Sequence, residues 1–463
     1  MREYIRKETF DPYLKMLYTP DEEFWWMKSI SNWNAVCLAG VVGSALTLIE
    51  DPAERAAFVA GAEVGRKFYL RGFGVEGYCS EGIGYWGYGF GHFMVLSEIV
   101  RINTQNSIDW LKDRVSAQIA LFPLRVEILN KIYPSFSDIR GIYSKPDEWM
   151  IDFAEERMCI AKKNAISFWS TAMLDEIGEG ELYFYGMVQL HDFPDYDIDP
   201  AQINQENHSE IRDFFNDGGL LISRSFKRDP QGMAVAIKGG NNAESHNHND
   251  LGTFEVVLGS DKFIIDPGAQ LYGRQSGENA GRYESEMMNS FGHPVPVVAG
   301  QLQLTGKSAR AVIFEKDFSL LRDFIKFDLT SAYKVSTLKN LTRLFTFKRA
   351  KTSELIVIDE VEYSQPEKFE TAIIVDTYDR SIMDRLSCQW KLTGENKWVI
   401  QKGDDAIQIA VFSPGNEIIL KEKPVEAHKG RMPEGYHPVR LGFEIKDKVK
   451  SARIEIKIVP VIK

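Results

Sequence analysis

Apolar positions recur every three to four residues from the N-terminus to about Met173, as in ERAAFVAGAEVGRKFYL (Glu54–Leu70), GHFMVLSEIVRI (Gly91–Ile102) and WLKDRVSAQIALF (Trp110–Phe122). That is the spacing of one helical face, so this half is predicted to be mainly α-helical. From Gly219 onward the pattern shortens to β-branched runs broken by turn residues, among them LLISRSF, MAVAIKGG, TFEVVLGSDKFIID, SELIVIDEVEY and AIQIAVFSP. Such runs predict stacked antiparallel sheets, a β-sandwich or a larger version of one. The stretch from His191 to Asp213 is rich in Asp, Pro, Asn and Gln and suits a linker crossing the surface. The expected organisation is an α+β multidomain chain: a helical domain over 1–178, a linker over 179–215 and a β domain over 216–463. No internal repeat of solenoid length is visible.

Composition narrows the class. With 44% hydrophobic and 26% charged residues, the 463-residue chain has ample material for a core, which excludes disorder and small disulfide scaffolds. The formal charge of −11 argues against nucleic acid or an anionic membrane as the main partner, although a local basic groove stays open. The longest apolar run, Ala35 to Ile49, ends at Glu50 and Asp51 and is short of a membrane span, so it reads as a buried helix. The first residues, MREYIRKETFDPYL, lack the apolar core of a secretory leader. The expected location is periplasmic if a leader has been removed and cytoplasmic otherwise. Cys37, Cys79, Cys159 and Cys388 form no CxxC pair and are expected to be reduced core residues.

The densest chemical signal is ESHNHND at Glu244–Asp250, followed by FIIDPG at Phe263–Gly268 and NSFGHPVPVV at Asn289–Val298. In an extended strand, residues two apart point to the same side, so His246 and His248 are expected to face one cavity. One of them can bind metal while the other stays free. A zinc site takes three or four N, O or S ligands, and His248, Asp266 and His293 supply two imidazoles and a carboxylate from separate segments. Seven of the nine tryptophans (Trp25, Trp26, Trp33, Trp86, Trp110, Trp149 and Trp169) lie in the helical half. Core packing accounts for most of them. Those in FWWMKSISNWN and in the Gly-rich GYCSEGIGYWGYGFGHF could also give a flat wall for a sugar ring.

ESHNHNDLGTFEVVLGSDKFIIDPGAQLY resembles the signature block of the heparinase II/III-like polysaccharide lyases, in which H-x-H-x-D is followed by a D-P-G turn and a tyrosine; FFNDGGLLISRS resembles the family's lead-in strand. The resemblance is strongest over about Phe214 to Gly300. It implies an incomplete α/α toroid followed by an antiparallel β-sandwich, and cleavage of uronate polysaccharides by β-elimination. The chain is shorter at its N-terminus than many relatives, so fewer toroid helices are expected.

Carried over residue by residue, the resemblance makes His246 the active-site histidine and gives His248, Asp266 and His293 to Zn2+. It makes Tyr283, in GRYESEMMNS, a cleft residue, with Arg282 beside it binding substrate. EGIGYWGY resembles the family's tyrosine-bearing loop, with Tyr85 favoured, Tyr88 as the alternative, and Glu81 and Trp86 as substrate neighbours. SNWNAV resembles the segment presenting an asparagine to the substrate carboxylate. Asn32 and Asn34 would diverge by about 200° on a helix, so one of them faces the sugar, with Trp33 between them. Arg224, Arg274 and Arg282 are candidates for binding substrate anions.

These residue types suit elimination. The C5 proton of a uronate is weakly acidic beside an ionised carboxylate, so an Asn donor must stabilise charge as it develops there. A tyrosine or histidine takes the proton, and a tyrosine donates to the departing oxygen. Tyr85 is expected as acid and in some cases base, and His246 as base for the opposite C5 configuration. The expected partner is an anionic polysaccharide of glycosaminoglycan or alginate type. No nucleic acid and no membrane span are expected, and a homodimer is compatible with the sequence. Because the chain is acidic, this reading requires a local positive cleft. The alternatives are a non-catalytic carbohydrate-binding protein of the same fold, or a zinc-dependent glycan hydrolase.

Overall fold

The computed structural model describes residues 1–19, 24–139, 141–157, 211–226, 229–271, 281–379 and 386–461. Cys159, Trp169, Arg274 and the expected linker up to residue 210 lie outside them. The chain divides into two compact units: Met1–Cys79, Tyr85–Leu124 and Pro146–Gln205 form one, and Ser80–Gly84, Arg125–Lys145 and Glu206–Lys463 form the other. Two short stretches of the half expected to be helical thus group with the sheets.

The first unit is helical in its described residues. Its longest helices are Asn32–Leu48, Pro52–Leu70 and Gly91–Asn103. The first carries the apolar run and buries Leu38, Ala39, Val42, Ala45 and Leu46, packing against both of the others. Being apolar nearly all round, it is the central helix of the three. No helix among the described residues is long and apolar enough to cross a membrane. Asp51 stops the run and starts the next helix: its carboxylate accepts from the Ala53 N–H at 3.1 Å, with Pro52 in the first turn. Along Pro52–Leu70 the buried face is Phe58, Ala62, Gly65 and Tyr69, three to four residues apart.

The second unit contains eighteen strands among the described residues: β1 (Arg212–Phe215), β2 (Leu220–Arg224), β3 (Met233–Ile237), β4 (Gly240–Asn242), β5 (Phe254–Leu258), β6 (Asp261–Ile264), β7 (Val297–Val298), β8 (Gly306–Phe318), β9 (Arg322–Asp328), β10 (Leu338–Lys348), β11 (Glu354–Glu367), β12 (Phe369–Val375), β13 (Gln389–Gly394), β14 (Lys397–Lys402), β15 (Asp405–Phe412), β16 (Ile418–Pro424), β17 (Val439–Ile445) and β18 (Val449–Pro460). β1 lies in residues that the sequence placed at the end of the linker. The strands form three antiparallel sheets, in the orders β1-β2-β3-β5-β6, β13-β14-β15-β18-β11-β10-β9-β8-β4 and β16-β17-β12-β7. The expectation of antiparallel sheets is met, but they are three rather than one clear pair. One apolar cluster joins them, with Val235 and Phe254 from the first sheet, Phe345 and Ile456 from the second, and Ile373 and Phe443 from the third.

Sequence texture follows burial. β2, β3 and β5 are buried at every position, so LLISR, MAVAI and FEVVL read as continuous apolar runs. β9 has one buried face and alternates, with Ile325 and Phe327 inside. Cys79 and Cys388 are buried and Cys37 is partly buried.

Candidate functional site

The segment ESHNHND follows β4 as a turn and not as a strand. The turn closes with Asn247 N–H donating to Glu244 O at 3.2 Å, and His246 adopts φ +55°. A left-handed backbone at a residue with a β-carbon costs about 1–2 kcal/mol, so the surroundings must impose it. Arg282 does so in part, its guanidinium donating to His246 O at 3.1 Å and to Asn247 O at 3.0 Å. The expectation that His246 and His248 share a cavity wall assumed strand alternation, which is absent. The two rings nevertheless meet on one group, the carboxylate of Asp138. His246 Nδ1 lies 2.7 Å from Asp138 Oδ2 and His248 Nε2 lies 3.1 Å from Oδ1. Arg282 completes the set, donating to Oδ1 at 2.6 Å.

Asp138, which joins these three side chains, was not among the residues expected at the site. It sits in YPSFSDIRG, whose Pro, Ser and Gly punctuation breaks the helical pattern and was the available signal. Burial works to raise its pKa, but hydrogen bonds from His246, His248 and Arg282 outweigh this and hold the carboxyl well below the usual range. Burial likewise works to lower the His246 pKa, and the Asp138 hydrogen bond with the nearby Glu81 carboxylate turns it upward.

His248, Asp266 and His293 are all fully buried, and one potential ligand atom from each lies within 4.8 Å of the others. His293 Nδ1 is 2.7 Å from Asp266 Oδ2. Two further ring nitrogens, His248 Nδ1 and His293 Nε2, are buried with no hydrogen-bond partner. Orphaned buried nitrogens beside a carboxylate are costly unless something binds them, and two imidazoles plus a carboxylate are a zinc-type donor set. The residues therefore fit a zinc ion. Burial also lowers the His248 pKa, with Asp138 opposing it, which favours the neutral imidazole that a metal requires.

The loops carrying these ligands are clamped by buried charge. Arg343 on β10 pairs with Asp359 at 2.8 and 3.0 Å and donates to Gly252 O and Pro294 O at 2.9 and 2.6 Å. Arg440 on β17 donates to His293 O at 3.0 Å and Phe291 O at 2.8 Å. Behind Asp266, the Glu255 carboxylate accepts from the Asp266 N–H at 3.2 Å and the Ser135 N–H at 3.1 Å, and pairs with Lys262 at 3.0 Å. Gly268 ends the D-P-G turn at φ +68°, where a β-carbon would stand 2.8 Å from Ile139 O, so glycine is required.

His246, about a quarter exposed, lines a pocket of about 650 Å³ together with Glu244, Arg282, Tyr283 and Glu284. Tyr283 donates its hydroxyl to Asn247 Oδ1 at 3.1 Å, and burial raises its pKa so that it stays protonated. Arg282 is already paired with Asp138. Among the described residues of this unit, the pocket is lined by two glutamates, Glu244 and Glu284, and by Arg282. Glu81 is half-buried in the same unit. Arg224, expected as an anion site, is fully buried on Asp213 at 2.8 Å and on the carbonyls of Arg125 and Ile128, and is structural.

In the helical unit, Asn32 is half-buried in the first turn of its helix and Trp33 is 53% exposed, edge-on to Trp25. Asn34 is fully buried, its amide donating to Trp26 O, Met27 O and Gly65 O at 3.0, 2.7 and 3.1 Å. Those bonds make Asn34, expected at the catalytic site, a bracket between backbone segments. Trp86, expected beside the substrate, is fully buried, with its indole N–H on Ile119 O at 2.8 Å. Tyr85 is half-buried at the start of the π-helical turn Trp86–Phe90, and Tyr88 is exposed and edge-on to His92.

Residues 208–429 match the profile of the family described as Heparinase II/III-like, C-terminal. No curated protein sequence matches the chain. Similar solved structures include one titled a heparinase III gene product (TM-score 0.66, 15% identity, covering 92% of this chain and 59% of that one). The heparan sulfate lyase of Pedobacter heparinus (TM-score 0.61, 15% identity, 93% and 60%) and a further heparinase III (TM-score 0.61, 15% identity, 93% and 61%) are also similar. The chain thus spans about three fifths of the length of the structures it matches, and at this identity the likeness establishes a shared fold. Residues 208–429 thus carry the likeness to the heparinase II/III-like C-terminal family, within a fold that the chain shares with these heparinase structures.

Proposed function

We propose that the protein is a polysaccharide lyase that cleaves a uronate-containing glycan by β-elimination. The observation that carries the reading is His246: a histidine held in a left-handed turn, its Nδ1 bound to a buried carboxylate, in the wall of a pocket that also holds a protonated tyrosine. With Nδ1–H donated to Asp138, Nε2 is the nitrogen that carries the lone pair and can take the C5 proton. The electrons of the broken C5–H bond form the C4=C5 double bond, the C4–O bond breaks, and a phenolic proton goes to the departing oxygen. Tyr283 is a proton-bearing hydroxyl of the same wall, whereas the family resemblance gives the acid's role to Tyr85. It gives the donor to the substrate carboxylate to an asparagine, and the commitment of Asn34 to backbone carbonyls favours Asn32.

When bound by His248, Asp266 and His293, zinc supplies a fixed charge that organises the turn carrying His246. The finer fold expectation, an incomplete toroid ahead of a sandwich, belongs to this same reading.

The test is ultraviolet absorbance of unsaturated uronate ends released from heparin, heparan sulfate, chondroitin, hyaluronan and alginate, with His246→Ala, Tyr85→Phe and Tyr283→Phe as controls. A signal on one polymer that is lost in His246→Ala supports the lyase and names its substrate. Saturated products would instead indicate hydrolysis, and glycan binding without any product would indicate a binding protein.

A further inference from the structure

We infer that Asp138 is a shared positioning residue, one carboxylate that fixes the tautomers of the working histidine and of a zinc ligand together and so couples the metal centre to the catalytic turn. The geometry assigns each oxygen a task. Oδ2 takes the Nδ1 edge of His246 at 2.7 Å, and Oδ1 takes the Nε2 edge of His248 at 3.1 Å. A neutral imidazole carries one proton, so each hydrogen bond dictates which nitrogen keeps a lone pair. For His246 that nitrogen is Nε2. For His248, a residue of the zinc-type cluster, it is Nδ1, which is buried with no hydrogen-bond partner. A carboxylate behind a ligating histidine is a general device for fixing ring orientation. Here the same carboxylate also serves a second histidine outside the ligand set.

Arg282 keeps this arrangement in place. Its guanidinium donates to Asp138 Oδ1 at 2.6 Å and to the carbonyls of His246 and Asn247. One arginine therefore ties the buried carboxylate to the backbone of the left-handed residue. Asp138 has no exposed surface on its side chain, so it acts through the two rings and not on substrate.

The inference rests on the lyase reading only for the identity of His246 as base, and its test needs no substrate. The protein, labelled with 15N-histidine and loaded with zinc, is compared with Asp138→Asn, using His246→Gln to assign the signal. The wild-type His246 ring is expected as the Nδ1–H tautomer, and Asp138→Asn is expected to shift it toward the other form. Zinc affinity, read by chelator competition, is expected to fall about 10–100-fold in Asp138→Asn.

Unchanged tautomer and zinc affinity within twofold in a folded Asp138→Asn overturn the inference. So does a wild-type His246 carrying its proton on Nε2, a reading available even if the variant does not fold. If these readouts behave as expected while no glycan is cleaved, the lyase reading fails alone. If a substrate is found, kcat in Asp138→Asn is expected to fall about 10²–10⁴-fold with KM little changed.

Discussion

Replacing Lys262 by Met removes the cation from a fully buried pair whose carboxylate supports the metal-ligand loop. Lys262 Nζ lies 3.0 and 3.2 Å from the two Glu255 oxygens and 3.2 Å from Ser135 Oγ, and neither charged side chain has any exposed surface. Burial pushes the Lys262 ammonium toward its neutral form and the Glu255 carboxyl toward its own, and each partner opposes the other's shift. With Lys262 gone, Glu255 faces that burial without its counter-ion. Breaking such a pair on one side costs about 3–5 kcal/mol. For a unit of this size that is a fall in Tm of about 5–8 °C. The double variant Glu255→Gln/Lys262→Met keeps an acceptor oxygen for the Asp266 and Ser135 N–H groups and strands no charge. It is expected to recover more than about 1 kcal/mol relative to Lys262→Met alone. The assay is thermal and urea unfolding of the four proteins of the cycle, at equal zinc content. Lys262→Met within about 0.5 kcal/mol of the parent, or additive losses in the double variant, would refute the reasoning.

His248→Ala, Asp266→Asn and His293→Ala are each expected to cut bound zinc, counted by elemental mass spectrometry, from about one per chain to less than a tenth, whereas His246→Ala retains it. Asn34→Ala strands buried carbonyls and should cost about 1–3 kcal/mol in urea unfolding. Asn32→Ala should unfold within about 0.5 kcal/mol of the parent yet lose most turnover on the cleaved glycan. Trp86→Phe removes a buried indole hydrogen bond, costing about 1–3 kcal/mol, with glycan affinity unchanged. Trp33→Ala should do the reverse in the same two measurements, weakening glycan retention on affinity gels without lowering Tm.

The division into helices and antiparallel strands was legible because both carry a period. Helix Pro52–Leu70 shows its buried stripe at 58, 62, 65 and 69, and β9 alternates at every step. The zinc-type donors were legible as well, since His248, Asp266 and His293 each stand in a short motif with turn residues around it. What periodicity could not show was commitment. Asn34 and Trp86 look as available for sugar as Asn32 and Trp33, and burial alone separates them. Arg224 is an arginine in an apolar strand, and its partners Asp213, Arg125 and Ile128 lie on other segments.

Asp138 was invisible for a related reason, which bears on how this site works. Its three partners come from 108 or more residues away, and the segment that carries it has neither helical nor strand period. A single carboxylate that must reach two rings and a guanidinium needs an irregular backbone, because no regular element aims one short side chain at three donors. The same constraint acts on its principal partner. On a strand, His246 and His248 would point the same way and present similar edges; in the left-handed turn they approach Asp138 through different nitrogens, Nδ1 and Nε2. That difference puts the lone pair on Nε2 of the pocket histidine and on Nδ1 of the buried one. The strained residue is thus the means by which two neighbouring histidines of identical chemistry meet one carboxylate through different edges.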